Sequence, residues 1–238
     1  LLTIERRQGM LIELNEEKAF EFYKDCTEGN KDAVFSFCES FLKDHVFISG
    51  KINFADFFSM GCYQAAFNNK TEIVDKIIKT VYTGSYWFKQ NVFFILGHAI
   101  PGYANGGQLE TAKSLFSKFF NNKYISCTSL ILYKLITKDS KESKEMIEFI
   151  FEKMQDNSSV YIDNIDDLLN ASISMNNEVA LKNLLRYIRN KKHNSFCPID
   201  PTTIKANIIV SEFLGHMNLV RILEENLKIM EEMEKHDD

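Results

Sequence analysis

A recurring pattern constrains this chain more than any other feature. Residues 215–227 read G-H-M-N-L-V-R-I-L-E-E-N-L, and the same frame is found five more times upstream. With Asn218 as anchor, the frame places Gly215 three residues before it and the apolar Val220 and Leu223 two and five residues after it. Asn69, Glu72, Val74 and Ile77 repeat it, as do Gly107, Glu110, Ala112 and Leu115, and Gly29, Asp32, Val34 and Phe37. Two copies are weaker: Glu142, Glu145, Ile147 and Ile150, and Asn176, Val179, Leu181 and Leu184. Seven residues before each glycine-equivalent position the residue is apolar: Phe22, Cys62, Ile100, Leu135, Leu169 and Ile208. The anchors at 32, 72, 110, 145, 179 and 218 are 34 to 40 residues apart. A period of that size is the signature of a stacked-repeat protein.

Each copy reads as a helix, a tight turn and a second helix folded back on the first. Gly, and after it Asn, tolerates the left-handed backbone that ends a helix abruptly. Apolar residues two, five and six after the anchor lie on one helical face, a stripe that a single hairpin cannot bury and that stacking covers. The expected fold class is all-α, a solenoid of about six stacked helix-turn-helix repeats forming one domain over residues 1–238. The units are expected at about 16–42, 52–80, 97–120, 130–154, 165–190 and 202–230, with 1–15 as a lead-in helix or capping segment and 231–238 as a fraying tail. Within this array, Pro101 is expected to start a short first helix, because an internal proline removes a backbone donor and crowds the preceding turn. Residues 137–142 are expected as a longer polar turn, and Thr202 as the cap of the last first helix.

The second-helix signature of the ankyrin repeat family, A-A-x-x-G-H-x-E-I-V-x-x-L-L, is similar to A-A-F-N-N-K-T-E-I-V-D-K-I-I at 65–78 and again to G-H-M-N-L-V-R-I-L at 215–223. The resemblance covers six units from about residue 16 to 230. The family's T-P-L-H and its G-A-D-x-N hairpin are absent from every unit, and its first-helix histidine is replaced by Tyr23, Tyr63, Pro101, Ile136, Asn170 and Ile209. The resemblance therefore implies degenerate repeats without most of the β-hairpin fingers. It also implies a protein-protein interaction module that binds a partner on the concave face of the stack. Ankyrin-like arrays fused to enzymes are familiar in effector proteins of intracellular bacteria, and the Lys, Asn, Phe and Ile richness here is similar to such genomes. An alternative is an accessory, substrate-presenting region of a larger enzyme whose catalytic domain lies outside this segment.

Composition narrows the class further. With 45% hydrophobic and 26% charged residues, the chain has an ordinary globular balance, and only 3 Pro and 10 Gly leave room for long helices. A net charge of −5 gives no global basic field for a polyanion, so nucleic acid is not favoured. Five cysteines without a C-x-x-C pair are unlike a disulfide framework and point to reduced thiols in a cytoplasmic setting. No stretch has the roughly 18 apolar residues of a membrane helix. Starting at Leu1 without a charged-then-apolar leader, the chain reads as a segment of something larger.

Two stretches stand out as candidate binding surfaces. Residues 81–94 are dense in aromatics and hold the single Trp, and Tyr82, Tyr86, Trp87 and Phe88 are the residue types that anchor protein interfaces. Residues 186–194 form the most basic run, and Arg186, Arg189, Lys191, Lys192 and His193 are candidates for an anionic partner. Each has a structural alternative: the aromatics filling a gap between units, the cations complementing a helix C-terminus. His45, His98, His193, His216 and His236 fall in different units, with no H-E-x-x-H, G-x-S-x-G or phosphate-binding glycine loop. No catalytic, cofactor or metal residues are assigned, and catalysis is not expected of this segment.

Overall fold

The structure, a computed structural model, describes residues 11–43, 45–48, 54–83, 86–120, 127–155, 162–190 and 199–237, with backbone only for 11–14, 43, 45–48, 54, 86–90 and 234–237. Twelve α-helices among them form six consecutive hairpins: α1 (Glu16–Glu28) with α2 (Lys31–Lys43), α3 (Phe54–Phe67) with α4 (Thr71–Thr83), α5 (Tyr86–Asn105) with α6 (Leu109–Phe120), α7 (Thr128–Ile136) with α8 (Lys141–Gln155), α9 (Ile165–Ser174) with α10 (Glu178–Asn190), and α11 (Pro201–Phe213) with α12 (Met217–Asp237). The exception to the all-α class is a two-stranded parallel ribbon. Its strand β1 (Leu11–Leu14) precedes α1, and β2 (His45–Ile48) follows α2, with Leu11 opposite His45 and Leu14 opposite Ile48. Residues 11–14 are thus a strand, where a lead-in helix was one expectation.

The backbone shows why the turns fall where they do. Gly29, Asn69, Gly107, Asp139, Asn176 and Gly215 all have positive φ, one between the helices of each hairpin. At Asn69, Gly107, Asn176 and Gly215 the turn closes by paired 5→2 and 6→1 hydrogen bonds, for example Asn69 N to Ala66 O at 3.0 Å and Lys70 N to Ala65 O at 2.7 Å. These satisfy carbonyls that the helix end leaves unpaired. In the fourth hairpin the turn residue is Asp139, three residues before the Glu142 of the sequence frame. That frame slipped by almost one helical turn. A slip of three keeps a residue on the same helical face, so Leu135 and Ile147 are buried all the same. The turn over 137–140 is correspondingly tight.

The chain divides into two compact units, 1–112 and 113–238, the boundary falling within α6. In the first, α1 packs on α3, α2 on α4, and α3 on α5. In the second, α7 packs on α9, α8 on α10, α9 on α11, and α10 on α12. Like helices meet like helices, which makes each unit a repeat-like stack. The positions named from the sequence frame form the core. Phe22, Cys62, Ile100, Leu135 and Leu169 are buried in first helices, and Val34, Val74, Ala112, Ile147, Leu181 and Val220 in second helices; Ile208 alone is half-buried. Each such Leu, Ile or Val contributes about 1.5–3 kcal/mol on leaving water. The first unit adds an aromatic cluster in which Phe22 stacks on Phe57 at 4.7 Å and Phe41 meets Phe58 edge-on at 5.0 Å.

Helix α5 differs from expectation. It runs unbroken through Pro101 from Tyr86 to Asn105. The residue whose carbonyl the proline ring crowds is Gly97, which has no side chain to restrict its adjustment. Val92, Ile95, Leu96, Ile100 and Tyr103 are all buried along the same helix, and that burial outweighs the roughly 3 kcal/mol that an internal proline costs.

Candidate functional site: the stripe on the first helices

Counting back from each turn residue, the positions nine, six and two before it share one helical face. In α1 they are Phe20, Tyr23 and Thr27; in α3, Met60, Tyr63 and Phe67; in α7, Leu130, Tyr133 and Thr137; in α11, Ala206, Ile209 and Phe213. Of the thirteen large apolar side chains exposed among the described residues, six fall on these positions, which in α9 hold the polar Asp167, Asn170 and Ser174. The six are Phe20, Met60, Phe67, Tyr133, Ile209 and Phe213, Phe213 being 89% exposed and Ile209 65%. Scattered exposed apolar residues are ordinary, but a set sharing one register is not.

What lies between successive stripes depends on the side chains one and five before the turn. In α5 both are glycine. A Cβ on Gly106 would stand 2.2 Å from Phe67 O, and one on Gly102 2.8 Å from Tyr63 O. The two backbones have come together, His98 and Pro101 are buried, and Asn105 Nδ2 donates to the Tyr63 hydroxyl at 3.3 Å. In α9 the same positions hold Ala171 and Met175, and a cavity of about 550 Å³ opens between α7 and α9, lined by Tyr133, Thr137, Asp167, Asn170, Ala171, Ser174 and Met175. In α11 they hold Val210 and Leu214, which remain 45% and 42% exposed. Side-chain size at two positions thus sets whether the groove beside a first helix is closed or open. Sequence reasoning did not single out this face. The signal was present in the Gly102, Gly106 pair against the Val210, Leu214 pair.

A second regularity ties the copies together. Asn177, the residue after the fifth turn, caps α10 by accepting from Ala180 N at 3.0 Å, and donates to Ile136 O of the preceding hairpin at 3.5 Å. His216, the residue after the sixth turn, donates from Nδ1 to Ile173 O at 2.8 Å. Ile136 and Ile173 both stand three before their turns, so this side of a first helix faces the next hairpin. The residues at that position, Cys26, Ala66, Ala104, Ile136 and Ile173, are all buried, whereas in α11 it is the exposed Glu212. His216 and the buried His98, whose Nδ1 donates to Phe94 O at 2.9 Å, both serve the fold.

The sequence candidates are placed as follows. Tyr82 is exposed in the last turn of α4, a second helix. Tyr86, Trp87 and Phe88 begin α5, so only residues 84–85 separate the two helices; their side chains lie outside the described residues. Arg186 is exposed on α10 and borders two cavities beside α8, of about 440 and 420 Å³. Arg189, three residues on, donates to the Asn226 side chain of α12. Lys191, Lys192 and His193 lie outside the described residues.

Among the described residues the thiols carry no sign of activation. Burial pushes Cys26 and Cys62 far above the ordinary thiol range, and Cys38 and Cys127 up to about 11. Among the described residues no group of three His, Cys, Asp or Glu is placed to hold a metal, and no helix is long and apolar enough to cross a membrane. No family model matches this chain, and no curated protein and no solved structure is significantly similar to it.

Proposed function

We propose that this protein is a partner-binding module of the degenerate ankyrin-like kind, a solenoid that holds another polypeptide against the exposed stripe of its first helices and performs no catalysis in this segment. The observation that carries the reading is the exposure of Tyr133, Ile209 and Phe213 at matching positions of the second unit, with Tyr133 and Met175 lining an open cavity between α7 and α9. Aromatic anchors over a groove are what protein interfaces use for most of their binding energy. The stripe is carried by rigid helices, so a partner meets a preorganised surface and little ordering entropy is lost.

A photo-crosslinking residue at position 213 or 133, compared with one at Arg221 on the exposed side of α12, tests this in extracts of the native source. A discrete protein adduct from 213 or 133, lost when Ile209 is also changed to Ser, supports the reading. Equal adducts from 221, or none from the stripe, overturn it.

A further inference from the structure

Resting on that reading, we infer that the segment of the partner seated on α11 is an amphipathic helix carrying lysine or arginine beside its apolar face. The shape of the surface gives the first half. Ile209, Val210 and Phe213 of α11 and Leu214 at its end follow one another at helical spacing, and Met217 opens α12 just past the Gly215 turn; all five are exposed. Such a row is a ridge with a groove beside it, the complement of a second helix. An extended peptide needs an unpaired backbone edge or polar groups to hold its main chain, and this row offers neither.

Charge gives the second half. Glu212 lies on α11 within the row's span, and Asp166 and Asp167 occupy the first turn of the neighbouring α9; all three are exposed. On α11 itself the cation Lys205 is already paired with Glu231 of α12 at 3.0 Å. The charged residues of α9 and of the row itself are therefore all acidic, and a basic helix lying along both meets opposite charge. Two other occupants fit less well. A further hairpin stacked as its predecessors are would cover the side three before the turn and would bury Glu212 where every earlier copy has an apolar residue. A second copy of this chain would set Glu212 and the two aspartates against their own equivalents, like charge on like charge.

The test uses the whole chain and three labelled synthetic peptides read by fluorescence anisotropy: an amphipathic helix with Leu and Phe on one face and Lys on its flanks, the same composition scrambled, and the ordered peptide with Lys replaced by Glu. The ordered basic peptide is expected to bind at least about tenfold more tightly than either control. The pair Ile209→Ser and Phe213→Ala is expected to remove most of that difference, while Asp166→Asn with Glu212→Gln weakens binding by about threefold and flattens its salt dependence. Because Phe213 is almost wholly exposed, a circular-dichroism melt run alongside is expected to be unchanged, so lost binding is not lost fold. Equal binding of the scrambled peptide, equal binding of the acidic peptide, or indifference to the Phe213 pair each overturns the inference. So does a concentration-dependent dimer in sedimentation that the same pair abolishes, which assigns the surface to a second copy. If no peptide binds while position 213 still crosslinks to a discrete protein, the basic helix is wrong and the partner-binding reading stands; if both fail, both are wrong.

Discussion

Helices α5 and α11 hold the same place in their hairpins and use it in opposite ways. In α5 the stripe residues His98 and Pro101 are buried against neighbouring backbone, and glycines one and five before the turn permit that approach. In α11 the equivalent residues Ala206 and Ile209 are exposed, and Val210 and Leu214 stand where the glycines were. The difference teaches that a repeat frame fixes which helix meets which, while two further positions fix how closely. A closed copy spends its surface on stability, and an open copy keeps its surface for something else.

The largest expected effect breaks the comparison at its core. An aspartate at Ile100, seven before the turn and fully buried in α5, is expected to destabilise the protein by about 4 kcal/mol, as an unpaired buried charge does. The equivalent Ile208→Asp in α11, where the residue is half-buried, is expected to cost about half as much. Urea melts of the two variants measure the gap, and equal losses would mean that α11 is as closed as α5. Next comes the approach itself. Gly106→Ala places a methyl group 2.2 Å from a backbone oxygen that no side-chain rotation relieves, at a cost of about 3 kcal/mol. Leu214→Ala, at the same register in α11, is expected to change stability by less than about 1 kcal/mol.

The ties between copies sharpen the comparison at an intermediate size. Asn177→Ala removes a cap on α10 and leaves Ile136 O without its side-chain donor at a fully buried position, and is expected to cost about 2 kcal/mol. His216→Ala removes the side-chain donor to Ile173 O, which keeps its bond from Asn176 N, and is expected to cost about 1 kcal/mol. Chemical denaturation separates them. A reversed order would show that the last hairpin is held more firmly than the exposure of α11 implies.

The hairpins themselves were legible in the sequence because their turns are chemical. A glycine or asparagine at a left-handed position and an apolar residue seven before it are local requirements, and they located five turns to the residue. The fourth was missed by three, since Asp139 adopts the same backbone without announcing it and the shifted frame keeps its apolar face. The course of α5 was not legible, because Pro101 argues locally against a helix that only packing sustains. Nor was the strand at 11–14, whose partner at 45–48 is one whole hairpin away in sequence. The exposed stripe was hidden for a different reason. Phe213 and Ile209 look like core residues in one sequence, and only the missing approach of a neighbour leaves them bare.

The smallest expected effect concerns how an open helix holds its own end. Where α5 relies on packing, α11 starts with strong local signals: Pro201 in the first turn, and Asp200 as cap in place of the expected Thr202, accepting from Thr203 N at 2.8 Å and from the Thr203 hydroxyl at 3.1 Å. The hydrogen bond from the Thr203 backbone, followed by that from its hydroxyl, holds the Asp200 carboxyl below the usual aspartate range. A carboxyl whose pKa is lower folded than unfolded adds stability above its unfolded pKa, and loses it as pH falls through the folded one. Asp200→Ala is therefore expected to melt slightly below the unaltered protein at neutral pH, with the gap closing as pH drops through the lower carboxylate range. Paired thermal melts across that range measure it. A gap independent of pH would place the benefit in the turn geometry of residues 199–201 rather than in the charged cap.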